Sequence, residues 1–446
     1  LLPPTFDLSK VGYVEEEFFI SGEAVSYTSE QPLTADGFWE LSAAQSRPYT
    51  TRVIVRRPAV AEDFGGTVIV EWFNVSAGMD AAPDWTFVHN QIIRERAAWV
   101  GVSAQIDGIE GDGSTLASMM ALKNVDPIRY GPLEHPGDDF SYDIFSQTGA
   151  AVWFEATKLL GGLEPTLVLA TGESQSAIRL TTYVNGVAPL VDVYDGYLVH
   201  SRAGFGAPLI ESVSPPDPTF IRTDLELPVL VLSTETDLVD HLLGYHRARQ
   251  SDGPWFAGWE IAGTAHLGAY TLGIGDEDDG SGSADHALFQ AMLTPPSSVY
   301  FGVLTCENPI NAGPQTYVAR AALAALRRWA SEGTVPPNMP QLELDETGMD
   351  YLHDEVGNAL GGIRTPQVDT PVARLSGLGE TGWNFCTLFG STVPFTKEEL
   401  ANLYPTPDAF LQEWKFSLNA AVDAGAILPP DAAVLKIVAE AYSQGR

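Results

Sequence analysis

A serine set between small residues, directly after an apolar run, constrains this chain more than any other feature. The run LVLA occupies 167–170, the pentapeptide GESQS follows at 172–176, and a helix-compatible segment covers 177–184. A strand, a sharp turn and a helix in this order form a nucleophile elbow, which holds the hydroxyl of Ser174 where an imidazole can reach it. The usual pattern is G-x-S-x-G. Ser176 stands at its last position, where a small side chain still lets strand and helix approach.

Two further polar residues follow buried strands later in the chain, in the order that this arrangement requires. The run PVLVLS at 228–233 leads into a segment that contains Asp237, and WEIAG at 259–263 leads into His266. Continuous apolar runs are typical of parallel strands that are buried on both faces. Because the carboxyl ends of parallel strands meet at one edge of a sheet, we expect the acid and the histidine to lie beside Ser174.

Two carboxylates compete for the role of acid. Asp237 is favoured because its shorter side chain suits a buried contact with the imidazole of His266. Glu235, two residues earlier, is the alternative acid. If Asp237 has the role, Glu235 is expected to lie behind the site and to support it.

Several stretches along most of the chain resemble the α/β-hydrolase superfamily, and within it a poorly characterised bacterial group labelled only as alpha/beta hydrolase domain proteins. The matching stretches are VEWFNVS (70–76), RYG (129–131), HPGD (135–138), GESQSA (172–177), WEIAGTAH (259–266) and VDTPVAR (368–374). The resemblance implies a serine hydrolase fold. It implies little about the substrate.

Alternating strand and helix signals predict an α/β fold with a mostly parallel central sheet and helices on both faces. Antiparallel edge strands are expected near the N-terminus, ahead of the first buried strand at 67–71. The proline-containing segment 200–227 is expected to be a short cap over the site. We expect residues 1–300 to form the hydrolase core and residues 301–446 an extra, largely helical region packed on it, with helices over 316–332, 407–424 and 430–442.

Catalysis by a serine needs hydrogen-bond donors for the oxyanion of the tetrahedral intermediate. The N–H of Gln175, directly after the nucleophile, is one expected donor. The loop at 73–76 is expected to supply the other, with Asn74 as its marker, although Asn74 could instead only form a turn. Aromatic residues near the expected mouth of the site, and a histidine at a strand end, are candidate substrate-binding residues: Trp72, Phe73, Trp85 and His200.

The charge of the chain limits its partners. Asp and Glu number 58 and Lys and Arg 24, which gives a formal net charge of −34. Such a surface repels phosphate backbones and anionic lipids, so we expect neither nucleic acid nor a membrane as partner. No apolar run reaches the roughly 18 residues that span a bilayer, which predicts a soluble protein. The start LLPP, without methionine, fits a trimmed product of a secreted or periplasmic protein.

Cys306 and Cys386 are the two cysteines of the chain. If paired, they would close a long loop and stabilise the fold by about 4 kcal/mol in the chain-entropy model. Two buried free thiols are an equally good interpretation. Neither cysteine nor the acidic loop at 275–285 has the spacing of metal ligands, so the acidic loop is expected to be solvated and no cofactor is expected.

These residues predict a serine hydrolase that cleaves a small-molecule carboxylic ester or lactone through an acyl-enzyme intermediate. Ser174 would be the nucleophile, His266 its base, and Asp237 the group that orients the imidazole. An amidase or peptidase with the same triad stays open, because residue spacing does not distinguish leaving groups. A non-catalytic binding protein on the same fold is a third hypothesis, against which the presence of all three residues argues.

Overall fold

An eight-stranded sheet lies at the centre of the protein, in a computed structural model that describes residues 5–111, 116–239, 241–299, 304–379 and 385–445. Its strands are β1 (Tyr13–Thr28), β2 (Ser42–Pro58), β3 (Thr67–Trp72), β4 (Ala98–Val102), β5 (Leu167–Glu173), β6 (Gly196–His200), β7 (Val229–Thr234) and β8 (Phe256–Ile261). Their spatial order is β1-β2-β4-β3-β5-β6-β7-β8. From β4 to β8, neighbours in the sheet run parallel, whereas β2 is antiparallel to both β1 and β4. The predicted mostly parallel sheet is confirmed.

Strands β3 to β7 bury every residue along their length. This burial explains why their sequences are continuous apolar runs rather than alternating ones. The two N-terminal strands differ from the prediction in one respect. We expected both at the sheet edge, but β2 pairs with β4 as well as with β1, so only β1 lies at that edge.

Helices cover both faces of the sheet, as predicted. They are α1 (Pro83–Arg94), α2 (Ile106–Glu110), α3 (Leu122–Val125), α4 (Pro127–Tyr130), α5 (Ser141–Phe154), α6 (Ala156–Leu159), α7 (Gln175–Thr182), α8 (Glu235–Val239), α9 (Ser283–Leu293), α10 (Gln315–Glu332), α11 (Pro366–Asp369), α12 (Lys397–Leu403), α13 (Pro407–Asp423) and α14 (Pro429–Gly445). In the described residues, none of these has both the length and the apolar character needed to cross a bilayer. The start of the chain, at 1–4, lies outside the described residues.

Two adjacent residues at the end of β3 illustrate how the faces are covered. Successive side chains of a strand point to opposite faces. Glu71 accepts a hydrogen bond from the N–H of Asp84 at 2.9 Å, so its carboxylate lies at the N-terminus of α1, where negative charge is favoured. Trp72 packs on the other face against Tyr142 and Phe145 of α5.

The C-terminal region packs against the central sheet and shares its hydrophobic core. Helix α10 packs against α1, β6 and β7, and residues of α10, α13 and α14 belong to the same hydrophobic core as the sheet. The three helices expected here are present, with bounds within a few residues of the prediction. Helix α12 begins at a capping box between Thr396 and Glu399.

Two small two-stranded antiparallel sheets lie outside the central sheet. They pair β9 (Ser298–Val299) with β10 (Leu304–Thr305), and β11 (Ala373–Ser376) with β12 (Ser391–Pro394).

The acidic loop at 275–285 is anchored in the protein rather than simply solvated, which corrects our expectation. Asp278 is buried and accepts hydrogen bonds from Arg320 at 2.8 Å, Tyr270 at 2.6 Å and Asn90 at 2.7 Å. Burial pushes the pKa of Asp278 up, but the charge of Arg320 and the hydrogen bonds from Tyr270 and Asn90 together outweigh it and hold the pKa at about 2. Across the described ranges, no group of three or more His, Cys, Asp or Glu is arranged to hold a metal ion.

Cys306 and Cys386 form a disulfide between positions 80 residues apart in the sequence. The bridge lies in a small apolar cluster with Ile310 and Phe389. The pairing decides between the two interpretations that the sequence left open.

Replacing both cysteines with serine is expected to lower the free energy of unfolding by about 3 to 5 kcal/mol, because the open loop gives the unfolded chain more conformational freedom. Denaturant titration under oxidising conditions measures the change. Wild-type protein treated with a thiol reductant is the matched control, since it should fall to the stability of the double variant. Equal stability of the oxidised wild type and the double variant would contradict this prediction.

Candidate active site

The turn between β5 and α7 holds Ser174 in an unusual backbone conformation. Its φ is 61° and its ψ is −122°, in a region that residues other than glycine rarely adopt. Such strain persists only where the surroundings impose it, and it is concentrated at functional sites. Strand and helix approach so closely that a Cβ on Gly172 would lie 3.1 Å from the carbonyl carbon and oxygen of Ser176. A side chain at 172 would therefore force the backbone of strand and helix apart by a few tenths of an ångström.

Ser176 occupies the position that the usual pattern gives to glycine. Its side chain is fully buried, and its hydroxyl donates to the carbonyl oxygen of Glu173 at 2.8 Å. The N–H of Glu173 in turn lies 3.2 Å from the same hydroxyl oxygen. Serine at this position thus fits the turn and ties its two ends together.

Ser174, His266 and Asp237 form a chain of hydrogen bonds. The Oγ of Ser174 lies 2.7 Å from Nε2 of His266, and Nδ1 of the same ring lies 2.6 Å from Oδ1 of Asp237. The second carboxylate oxygen of Asp237 accepts the N–H of Thr234 at 2.7 Å. An Nδ1–H that donates to a carboxylate leaves Nε2 free to accept the serine proton. The structure therefore brings together the three residues that the sequence singled out.

Glu235, the alternative acid, faces away from the imidazole. Its carboxylate accepts the N–H of Gly263 at 2.6 Å and the N–H of Gly377 at 2.7 Å. Burial raises the pKa of Glu235 to about 7. Gly263 begins the loop that carries His266, so Glu235 lies behind the site and connects this loop to the C-terminal region.

Thr236 makes a second connection of the same kind. Its hydroxyl accepts the N–H of His266 at 3.1 Å and donates to the carbonyl oxygen of Gly377 at 2.6 Å. The segment around Gly377 therefore holds the acid loop and the histidine loop together. Sequence reasoning assigned the C-terminal region no such role, because contacts between residues so far apart in the chain leave no local pattern.

Asn74 shapes the loop after β3 and fastens it to the elbow. Its amide Nδ2 donates to the carbonyl oxygen of Glu173 at 3.1 Å, and its Oδ1 accepts the N–H of Ser76 at 2.8 Å. Its backbone N–H donates to Ala81 at 3.0 Å and so has a partner already. Asn74 is thus better described as the residue that positions this loop than as a free donor. Gln175 is the first residue of α7, where backbone N–H groups have no partner within the helix.

The aromatic residues and the histidine that we expected to bind substrate are buried instead. Trp72, Phe73 and His200 are 0% exposed and Trp85 is 5% exposed. They belong to the interior because they lie on or beside strands that are covered on both faces. His200 bonds through Nδ1 to Asp84 at 2.7 Å. The structure gives none of these side chains a surface for substrate, and this expectation is corrected.

An open cavity of about 550 Å³ lies beside the elbow. One wall is helix α7, through Gln175, Ile178 and Arg179, and the other is part of the segment 200–227, which we predicted to be a short cap. The residues of this segment that line the cavity are Phe205, Gly206, Ala207, Pro208, Ser214, Pro215 and Asp217. A volume of this size is typical of small-molecule sites.

The sequence match agrees with this geometry. Residues 1–436 match the family described as alpha/beta hydrolase domain. The chain belongs to this family. As an α/β hydrolase it carries the serine, the acid and the histidine after β5, β7 and β8, in the order of the fold. No curated protein matches the chain significantly.

Solved structures with a partial likeness include three hydrolases. A Klebsiella pneumoniae protein described as a dienelactone hydrolase is 14% identical to this chain. The match covers 62% of this chain and 98% of the other, with a TM-score of 0.30. An esterase from Rhizomucor miehei is 12% identical over 58% of this chain and 82% of its own (TM-score 0.28), and a bacterial brefeldin A esterase is 12% identical over 52% and 71% (TM-score 0.27). Values this low say nothing about the substrate of this α/β hydrolase.

Proposed function

We propose that this α/β hydrolase is a serine esterase that cleaves small carboxylic esters or lactones through an acyl-enzyme intermediate. One observation carries the proposal: Ser174 Oγ, both nitrogens of His266 and the carboxylate of Asp237 form one chain of hydrogen bonds of 2.7 and 2.6 Å. A serine hydroxyl is a poor nucleophile until a base takes its proton during attack. A neutral imidazole at hydrogen-bond distance is such a base.

The reaction starts when Ser174 Oγ attacks the carbonyl carbon of the ester and His266 Nε2 takes the hydroxyl proton. Asp237 stabilises the imidazolium and keeps the ring in the orientation that presents Nε2. His266 then gives the proton to the leaving alcohol as the carbon–oxygen bond breaks. Water attacks the resulting acyl-enzyme, again with His266 as base, and releases the acid and free Ser174.

The oxyanion of each tetrahedral intermediate is assigned to backbone donors. The N–H of Gln175 is one of them, because it lies at the N-terminus of α7 directly after the nucleophile. The loop after β3 is the proposed source of the second donor. Asn74 holds this loop against the elbow through its hydrogen bond to the carbonyl oxygen of Glu173. In Asn74→Ala the loop would lose this contact, and the second donor would be less well placed to stabilise the oxyanion. Each donor of this kind contributes about 3 to 4 kcal/mol to transition-state stabilisation.

The cavity between α7 and the cap is the proposed site for the acyl or alcohol group. Most of its lining is apolar, through Ile178, Phe205, Ala207 and two of the prolines of the cap, Pro208 and Pro215. An uncharged, apolar group of moderate size fits this lining. The net charge of −34 further disfavours phosphate-rich partners such as nucleic acids and anionic membranes.

Hydrolysis of p-nitrophenyl esters, from acetyl to decanoyl, tests the proposal. We expect kcat/KM to be highest for an intermediate chain length, and p-nitroanilides of the same acids to react at least about 100-fold more slowly, because their leaving group is poorer. Faster cleavage of the anilides would make the protein an amidase. Turnover of neither series would favour a non-catalytic binding protein.

Narrowing the cavity tests where the substrate binds. Ile178→Trp fills space on the α7 wall of the cavity. We expect kcat/KM for the longest esters to fall by about tenfold or more, because several methylene groups of the acyl chain no longer fit in the cavity. The value for the acetyl ester should change much less. The acetyl ester is the internal control. An equal loss for all chain lengths would place the acyl group elsewhere.

A further inference from the structure

Glu173, the residue directly before Ser174, places a second carboxyl group against the imidazole. Its side chain is 1% exposed, and its Oε1 lies 3.4 Å from Nε2 of His266. This oxygen has no hydrogen-bond partner among the described residues. A buried polar atom without a partner is costly, and it calls for an explanation in the function of the protein.

The other charged groups that face Glu173 come from three elements. His200 of β6 is its register partner across the sheet, Asp84 of α1 bonds to His200 at 2.7 Å, and Asp237 follows β7. Helix α10 contributes Gln315, which is uncharged and lies 3.1 Å from Nε2 of His200. Glu173 therefore lies between two imidazoles, and each imidazole has its own aspartate on the far side.

We propose that Glu173 is a positioning residue for His266, whose carboxylate holds the protonated imidazole through Nε2–H while the tetrahedral intermediate exists. The inference rests on the proposed serine mechanism. In the resting enzyme Nε2 accepts the hydroxyl of Ser174. Once Oγ is bonded to the substrate, Nε2 carries the proton, and Glu173 Oε1 is the acceptor already beside it. The imidazolium of His266 then donates one hydrogen bond to Asp237 through Nδ1 and one to Glu173 through Nε2.

The carboxyl group of Glu173 ionises in the same pH range as an imidazole. Burial raises the pKa of Glu173 to about 7, despite the opposing charges of His266 and His200. Two groups that interact this closely lose their protons in linked steps that belong to the pair. Ionised Glu173 favours the protonated imidazole, so it delays the appearance of the neutral base as pH rises. Without that charge, the neutral base appears at lower pH.

The pH dependence of Glu173→Gln tests the inference, because glutamine keeps the size of the side chain and removes its charge. We expect the pH at half-maximal kcat/KM to fall by about one unit or more, and the broad rise of the wild type to become a single ionisation. Glu164→Gln is the matched control: this exposed carboxylate precedes β5, at the opposite end of the strand, and its loss should leave the profile in place. An unchanged profile in Glu173→Gln, with kcat lowered equally at every pH, would show a merely structural role and overturn the proposal.

A titration that does not depend on turnover separates this inference from the proposed function. The ring-proton NMR signals of His266, assigned by their loss in His266→Gln, should titrate at lower pH in Glu173→Gln than in the wild type. If neither protein hydrolyses any ester but the shift is present, the proposed function fails and the contact stands. If Glu173→Gln does not fold, Glu173→Asp withdraws the carboxylate by one methylene, and a smaller shift in the same direction is expected. Hydrolysis without any shift in either variant would overturn the inference alone.

Discussion

Ser174→Ala is expected to lower kcat for ester hydrolysis by about 10⁴-fold or more, because no other group can form the acyl-enzyme. The Oγ of Ser174 lies 2.7 Å from Nε2 of His266, where the imidazole can take its proton. The fold should be unaffected, since alanine removes one partly exposed oxygen. Steady-state hydrolysis of the best p-nitrophenyl ester, with circular dichroism for the fold, measures both.

Ser176→Ala is the matched control in the same turn. Its hydroxyl bonds only to the backbone of Glu173, so its loss should cost about 1 kcal/mol of stability and less than about tenfold in kcat. A Ser174→Ala variant that keeps a tenth of the wild-type kcat would disprove the role of Ser174 as nucleophile.

Asp237→Asn is expected to lower kcat by about 10³ to 10⁴-fold. Asparagine fits the space, but its amide N–H can donate to Nδ1 of His266. The imidazole then carries its proton on Nε2 instead of Nδ1. In this tautomer Nε2 cannot accept the proton of Ser174. The 2.6 Å contact between Asp237 and His266 makes this the second largest effect that the structure predicts. Single-turnover kinetics of acylation measures the loss at the step where it arises.

Glu235→Gln is the comparison that decides between the two acids. Glu235 bonds to Gly263 and Gly377 and not to His266, so its replacement should destabilise the fold by about 1 to 3 kcal/mol and lower kcat by less than about tenfold. The opposite ranking of the two variants would transfer the role of acid to Glu235.

The buried parallel strands and the three residues of the proposed triad could be predicted from local sequence. Buried parallel strands are continuous apolar runs, and polar residues directly after such runs stand out, as do Ser174, Asp237 and His266. The elbow was visible because its turn needs small residues at fixed spacing. Helices of the C-terminal region were visible for a similar reason, since apolar periodicity and the Thr396 capping box are local signals.

The supporting contacts could not be predicted in this way. Glu173 is one residue from the nucleophile, yet its contact with His266 depends on how β5 lies relative to the loop after β8. His200 was expected near substrate, but its bond to Asp84 of α1 places it inside the protein. The role of Gly377 depends on a segment over a hundred residues after Glu235 in the chain. Such contacts follow from three-dimensional packing and leave no spacing rule in the sequence.

Site-resolved labelling with a fluorophosphonate tests the central claim most directly. The reagent phosphonylates a serine only when a neighbouring base activates it. After proteolysis and mass spectrometry, the account predicts one adduct per chain, on Ser174, lost in Ser174→Ala and strongly slowed in His266→Gln and Asp237→Asn. Absence of labelling in the folded wild type, or an adduct that persists in Ser174→Ala, would contradict the account.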